Sequence, residues 1–294
     1  MIFENYYLYR LGVWLVARLP PRFVDWVAVT LVDLNYLLNR RGRNGIWANL
    51  RRVLPPGTTN AERRRVAKGA FRNFALSIAD FFRIPQLTRE NADQFVAGVQ
   101  GWEHIRAAME ARAGAIFMSA HMGSWELAGA YLGLRGVPIT GVALPHADPR
   151  IDQLYLEMRE RVGIEVVSVG GAMRRLYEAL KRGRFVGIAS DRDTSGQGAL
   201  LPFFGESARM PVGHAKLALR TGAWILPVCV YRRPDGKTMI EVRPPIRPDP
   251  SRDTEDSLAL RCLAVLEEFI RARPEQWSSF EDLWAEAPAS DSDA

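Results

Sequence analysis

The sequence is poor in the residues that carry metal, redox and disulfide chemistry. Its 294 residues include four histidines and two cysteines. Cys229 stands in the apolar run WILPVCVYR and Cys262 in the helical pattern ALRCLAVL. Both read as buried free thiols, not as a disulfide framework. The histidines and cysteines lack metal-ligand spacing, so neither a metal nor a resident cofactor is expected. Long uncharged runs are missing too. Arg10, Arg18, Arg22, Asp25 and Asp33 interrupt the apolar, aromatic first 40 residues, and Pro20 and Pro21 break them. No stretch reaches the roughly 18–20 apolar residues of a spanning helix. The opening MIFENYYLYR lacks the basic start of a signal peptide. No serine or cysteine sits at a strand-to-helix elbow, so a covalent acyl-enzyme triad is not indicated. There is no internal repeat, and no linker divides the chain.

What is present is a composition that builds a core: 48% hydrophobic and 24% charged. The net charge of +6 is unevenly spread. Residues 1–75 carry 13 arginines and lysines against 4 acids. The tail is acidic, with Glu281, Asp282, Glu286, Asp291 and Asp293. A basic N-terminal face points to an anionic partner surface, either lipid headgroups or nucleic acid. Nucleic acid is disfavoured, because no helix-turn-helix, zinc or single-strand-binding signature is present and aromatics do not interleave the basic run. Residues 1–40 read as two short helices. Tyr6, Tyr7, Trp14 and Trp26 suit a lipid–water boundary. The same hairpin also fits packing on the core.

Beyond residue 40 the chain reads as one α/β domain over 41–285, followed by an acidic, disordered tail at 286–294. A helix is expected from Asn60, as its cap, to the residue before Pro85, with Val66, Ala70, Phe74, Ile78 and Phe81 on its buried face. From residue 102 amphipathic helices alternate with short apolar strands such as GAIFMSA, VPITGVAL, IEVVSV, RFVGIAS and WILPVCVYR. That alternation predicts a central, largely parallel sheet covered by helices on both faces.

In such sheets chemistry gathers beyond the carboxyl ends of the strands. The strand IFMSA delivers His121, and the strand FVGIAS delivers Asp191, Arg192 and Asp193. If the two strands are neighbours, a carboxylate meets the imidazole, the base-plus-orienter pattern that activates a hydroxyl. Glu126 follows His121 by five residues, in the first turn of the helix WELAGAYLGLR.

The segment SAHMGSWELAG at 119–129 resembles the H-x4-D/E motif of the glycerolipid acyltransferase superfamily. NLRRVLP at 49–55, SDRDTSGQGALLPFFGESARMPVGHAKLALRTGAWILPV at 190–228 and RPEQWSSFEDLW at 273–284 are similar to one branch of it. That branch holds the lipid A biosynthesis (lauroyl/myristoyl) acyltransferases and the related phosphatidylinositol mannoside acyltransferases. A lone H-x4-E is weak; its conjunction with these motifs is specific.

The resemblance implies a glycerolipid-acyltransferase-like fold behind the N-terminal helices. It also implies transfer of a fatty acyl chain from acyl-CoA or an acyl-carrier protein, as co-substrate, to a hydroxyl of a glycolipid or lysophospholipid-type acceptor. His121 would be the general base. Glu126 and Asp191 compete to orient it. Gly123 would permit a tight turn and Ser124 would cap the helix, leaving N–H groups free to favour negative charge. Arg159, Arg192, Asp193 and Arg209 are candidates for substrate binding, set against solvated or structural ion pairs. Phe203 and Phe204 either line an acyl tunnel or belong to the core. The enzyme is expected on the cytoplasmic face of a bacterial cell membrane, bound peripherally to its anionic surface. FEDLW stands where lipid A enzymes often carry a basic tail, so the acceptor lipid is left open. Two other function classes fit: a thioesterase using the same dyad on water, and a non-catalytic binder of anionic lipid or nucleic acid.

Overall fold

The computed structural model describes residues 5–143, 147–168, 172–193 and 196–285. The tail expected to be disordered, 286–294, lies outside them.

Four helices open the chain: α1 (Tyr6–Val16), α2 (Pro21–Leu38), α3 (Arg40–Val53) and α4 (Asn60–Arg83). Pro21 starts α2 at a position where a missing N–H costs nothing. The cap of α4 is Thr59, not Asn60. Thr59 Oγ1 accepts the Glu62 N–H and the Glu62 carboxylate accepts the Thr59 N–H, a reciprocal box Asn60 does not offer. The helix ends at Arg83, before a short 3₁₀ turn at Ile84–Gln86 that contains Pro85. Its buried residues are Ala67, Ala70, Phe71, Ser77, Ala79, Asp80, Phe81 and Arg83. Val66, Phe74 and Ile78 of the expected stripe are half-buried. One stripe underestimates this helix, because α1, α2 and α3 cover part of it, and the helix at Trp125–Leu134 and the 3₁₀ turn at Pro274–Gln276 another part.

The rest is a seven-stranded sheet in the order β1-β9-β8-β2-β5-β3-β4. The strands are β1 (Val96–Gln100), β2 (Ala115–Ser119), β3 (Ile139–Ala143), β4 (Glu165–Ser168), β5 (Phe185–Ala189), β8 (Trp224–Arg232) and β9 (Thr238–Val242). All pairs are parallel except β8 with β9. Between β5 and β8 a separate antiparallel hairpin, β6 (Ala199–Phe203) and β7 (Glu206–Met210), turns through Phe204 and Gly205, both at positive φ. The helices are α5 (Trp102–Ala111), α6 (Trp125–Leu134), α7 (Pro149–Glu160), α8 (Ala172–Lys181), α9 (Gly213–Thr221) and α10 (Glu255–Ala272). One core joins the sheet to residues of α8, α9, α10 and the hairpin; another joins it to α5, α6 and α7. The expected largely parallel sheet covered on both faces is therefore the fold. Cys229 and Cys262 are buried free thiols, each pushed up to about 12 chiefly by burial.

The N-terminal pair packs on the domain through one side and leaves the other uncovered. The inner side of α2 packs on α4: Tyr36 meets Phe71 edge-on, Asp33 pairs with Arg72 and Lys68, and Asp25 pairs with Arg83. The outer side leaves Phe23, Trp26, Leu31, Leu34, Leu37 and Leu38 exposed, and α1 adds Tyr7, Leu8, Leu11 and Trp14. No described helix is long and apolar enough to cross a membrane.

Candidate active site

Strands β2 and β5 are parallel neighbours, paired from Ala115–Phe185 to Ser119–Ala189. The Ser190 N–H continues the ladder to the Ser119 carbonyl at 2.7 Å. His121 and Asp191 each stand two residues beyond the last pair, so the register itself sets them side by side. The His121 Nδ1 lies 2.7 Å from Asp191 Oδ1. Asp191 Oδ2 accepts the His121 backbone N–H at 3.2 Å and the Trp277 indole N–H at 2.8 Å. Asp191 is 1% exposed. Burial alone would raise its pKa, but the His121 charge and these hydrogen bonds outweigh burial and hold it at about 2. An ionised carboxylate only accepts, so Nδ1 carries the proton and Nε2 is left as the basic nitrogen.

The loop carrying His121 is fixed by the closing segment of the chain. The Gly123 N–H donates to the Gln276 carbonyl at 3.2 Å and the Ser278 N–H to the His121 carbonyl at 2.8 Å. Gly123 sits at φ +53, where a Cβ would come within 2.5 Å of the Val230 carbonyl oxygen. Glycine is required there by both conformation and space. Its N–H is occupied by Gln276, so it is not a free donor for developing charge.

Ser124 is the N-cap residue of α6, but its side chain caps nothing. Its hydroxyl donates instead to Asp80, which also receives Arg232 and Arg83. Asp80 is buried, and so is Arg83. A lone carboxylate there would be strongly destabilising; two guanidiniums and a hydroxyl satisfy it. The network ties α4, α6 and β8 together beneath the histidine loop.

Glu126 does not hold His121. It forms a two-pronged pair with Arg159 of α7, at 2.6 and 3.3 Å. Burial works against the Arg159 charge, and Glu126 beside it more than offsets that, leaving the guanidinium pKa raised. Both line a cavity of about 390 Å³, together with His121, Trp125 and Tyr155. Its remaining walls are largely apolar, including Phe117, Leu132, Ile139, Ile164, Val228 and Val230, with Gly129, Gly141 and Gly187 among them.

The other sequence candidates lie outside this cavity. Phe203 and Phe204 pack with Trp284 and Trp277, so they are core, not tunnel wall. Asp193 accepts the Gly198 N–H at 2.7 Å and Arg209 donates to the Gly198 carbonyl at 3.0 Å, bracing the entry to the hairpin. Arg192 has a buried Nε without a partner among the described residues and does not line the cavity. Residue type and spacing alone do not single out the roles of Trp277, Asp80, Arg232 and Tyr155. Asp80 leaves a trace as a carboxylate inside the apolar run SIADFF, and Trp277 as part of the motif RPEQWSSFEDLW. Among the described residues no group of His, Cys, Asp and Glu could hold a metal ion.

The model of the bacterial lipid A biosynthesis acyltransferases matches residues 2–286. The chain is 32% identical over 221 residues to a phosphatidylinositol mannoside acyltransferase of Mycobacterium tuberculosis, spanning 73% of this chain and 69% of that one. A protein of the same description from Mycolicibacterium smegmatis is 27% identical, spanning 94% and 90%. The lipid A biosynthesis lauroyltransferase of Escherichia coli is 26% identical, spanning 94% and 91%. A crystal structure of the 1-acyl-sn-glycerophosphate acyltransferase from Thermotoga maritima covers 88% of this chain and 100% of its own, at 16% identity and a TM-score of 0.43. With a histidine and a buried carboxylate joined at paired strand ends, and a family match over nearly its whole length, the chain belongs to the bacterial lipid A biosynthesis acyltransferases.

Proposed function

We propose that this acyltransferase moves a fatty acyl chain from an acyl thioester to a hydroxyl of a membrane glycolipid, with His121 as general base. The observation that carries the reading is the buried, ionised Asp191, which ties up Nδ1 of His121 while the ring also borders a largely apolar cavity. Nε2 takes the acceptor hydroxyl proton as its oxygen attacks the thioester carbonyl. The C–S bond of the tetrahedral intermediate then breaks, and the departing sulfur takes the proton back from Nε2. The products are an ester and a thiol. Asp191 keeps the tautomer and stabilises the imidazolium. The apolar cavity receives the acyl chain, at about 0.8 kcal/mol per buried methylene. Acyl-CoA and acyl-carrier protein are both suitable donors. A glycolipid acceptor rests on the activities named for the relatives.

An amphiphilic acceptor must be met at a bilayer. The exposed stripe of α1 and α2, with Arg40, Arg41 and Arg51 nearby, supports peripheral binding to the cytoplasmic face of the cell membrane. Residues 1–40 are the docking part of the unit and 41–285 its catalytic part. Deleting residues 1–38 would also strip α4 of Tyr36, Asp33 and Asp25. Replacing Trp14 and Trp26 by glutamine tests docking more cleanly.

Incubation with radiolabelled acyl thioester, with and without a membrane lipid extract, tests the reaction. Label moving into lipid, lost in His121→Ala by about 10²–10⁴ in rate, is expected. Free fatty acid as the sole product would make the protein a hydrolase. No turnover of the thioester would refute the enzymatic reading.

A further inference from the structure

A second cavity, of about 360 Å³, lies far along the chain from His121, where the end of α2 meets α3 and α4. Its lining is Tyr36, Leu37, Arg43, Asn44, Trp47 and Arg64, with no carboxylate among them. Arg43 donates to the carbonyls of Tyr36 and Leu37, the unsatisfied end of α2. These contacts orient the guanidinium without neutralising it. Arg64 makes no ion pair among the described residues, and Asp33, the nearest acid of α2, is spent on Arg72 and Lys68. Two arginines facing one concavity without a counter-ion repel each other, and an anion with several oxygens relieves that. Trp47, half-buried at the rim, suits a lipid–water boundary. Leu37 joins this cavity to the exposed stripe of α2, which runs from Phe23 to Leu38. A bilayer that takes up the stripe therefore brings its headgroup layer to the arginines.

We propose that this cavity binds the phosphate of an anionic membrane phospholipid, as an anchoring site separate from the acyl cavity. The proposal rests on the membrane-docking reading of α1 and α2. It makes the charge on Arg64 and the fork of Arg43 worth more than an equal charge elsewhere on the surface.

The test is sedimentation of the full chain with phosphatidylcholine vesicles containing phosphatidylglycerol, or given the same surface charge by fatty-acid carboxylate. Wild type should prefer the phosphatidylglycerol vesicles. Arg64→Gln should abolish that preference, and Arg43→Lys, which keeps charge but loses the fork, should weaken it. Arg41→Gln, an exposed change outside the cavity, should lower binding to both vesicles alike, by about fivefold for one surface charge. An unchanged preference in Arg64→Gln would overturn the site while leaving docking intact. Wild type that ignores every vesicle would overturn docking itself and the site with it. Without vesicles, millimolar inorganic phosphate should not bind the full chain saturably in equilibrium dialysis. Saturable binding that Arg64→Gln removes would make this a site for soluble phosphate and overturn the lipid assignment.

Discussion

Replacing Asp191 by asparagine removes one negative charge and almost no volume, and its effect follows from counting donors. Three N–H groups converge on the Asp191 carboxylate: His121 Nδ1 on one oxygen, Trp277 Nε1 and the His121 backbone on the other. An amide has one accepting oxygen. Placing it toward Trp277 and the backbone satisfies two donors and turns the NH2 group to His121 Nδ1. The imidazole then accepts at Nδ1 and carries its proton on Nε2, where a general base must be free. The opposite rotamer sets NH2 against two donors in a site with 1% exposure, which costs about 1–3 kcal/mol for each unmet group. The first rotamer is therefore favoured, and it is the inactive tautomer. In another enzyme class the same exchange beside a catalytic histidine costs about 10⁴ in kcat, and a loss of about 10³–10⁴ is expected here. Glu126→Gln serves as the control. It breaks the pair with Arg159 and should raise KM for the donor with at most about a tenfold fall in kcat. Steady-state acyl transfer from a thioester donor, followed with folded variants, measures both. Asp191→Asn within tenfold of wild type, together with a thousandfold loss in Glu126→Gln, would refute the reasoning and give the orienting role to Glu126.

Three further outcomes are expected. Trp277→Phe deletes one charge-assisted hydrogen bond to Asp191, so kcat should fall about tenfold or more with KM for the donor unchanged, read from the kcat–KM split. Gly187 lines the cavity beside His121 and a Cβ there meets nothing within 4 Å. Gly187→Val should fold normally and shift donor preference to shorter chains, by about fourfold in KM for each methylene displaced, as a series of acyl-CoA lengths would show. His214 is fully buried, and burial pushes its pKa down from 6.5 to about 4. The unfolded chain therefore binds the extra proton first, and stability should fall as pH drops from 6.5 toward 4, by about 2 kcal/mol at pH 5. His214→Leu should remove that slope in urea unfolding curves measured between pH 7 and pH 5.

The alternation of short apolar runs with amphipathic helices determined the covered parallel sheet, because a strand buried on both faces must be apolar throughout. The motif around His121 and the DRD run after FVGIAS marked two strand ends as chemically unusual, and the register of β2 against β5 joined them. Which acid meets the histidine was not legible. Glu126 is five residues away in sequence, but α6 carries its side chain toward Arg159 of α7; Asp191 is 70 residues away, and strand order alone makes it the partner. The hairpin β6–β7 has no plain turn signal, because its turn, Phe204 and Gly205, puts a bulky residue at positive φ. The Phe204 N–H there is held by Glu267 of α10, a contact with no local signal. Ser124 read as a cap and proved a member of a buried charge network, since Asp80, Arg83 and Arg232 come from separate elements. The first two helices show the division most plainly. Their residues set the amphipathic pattern, with side chains suited to core or to membrane. Only the packing of α2 against α4 decided that Tyr36 points inward while Trp26 and Leu37 face out, because a helix buries whichever side finds a partner.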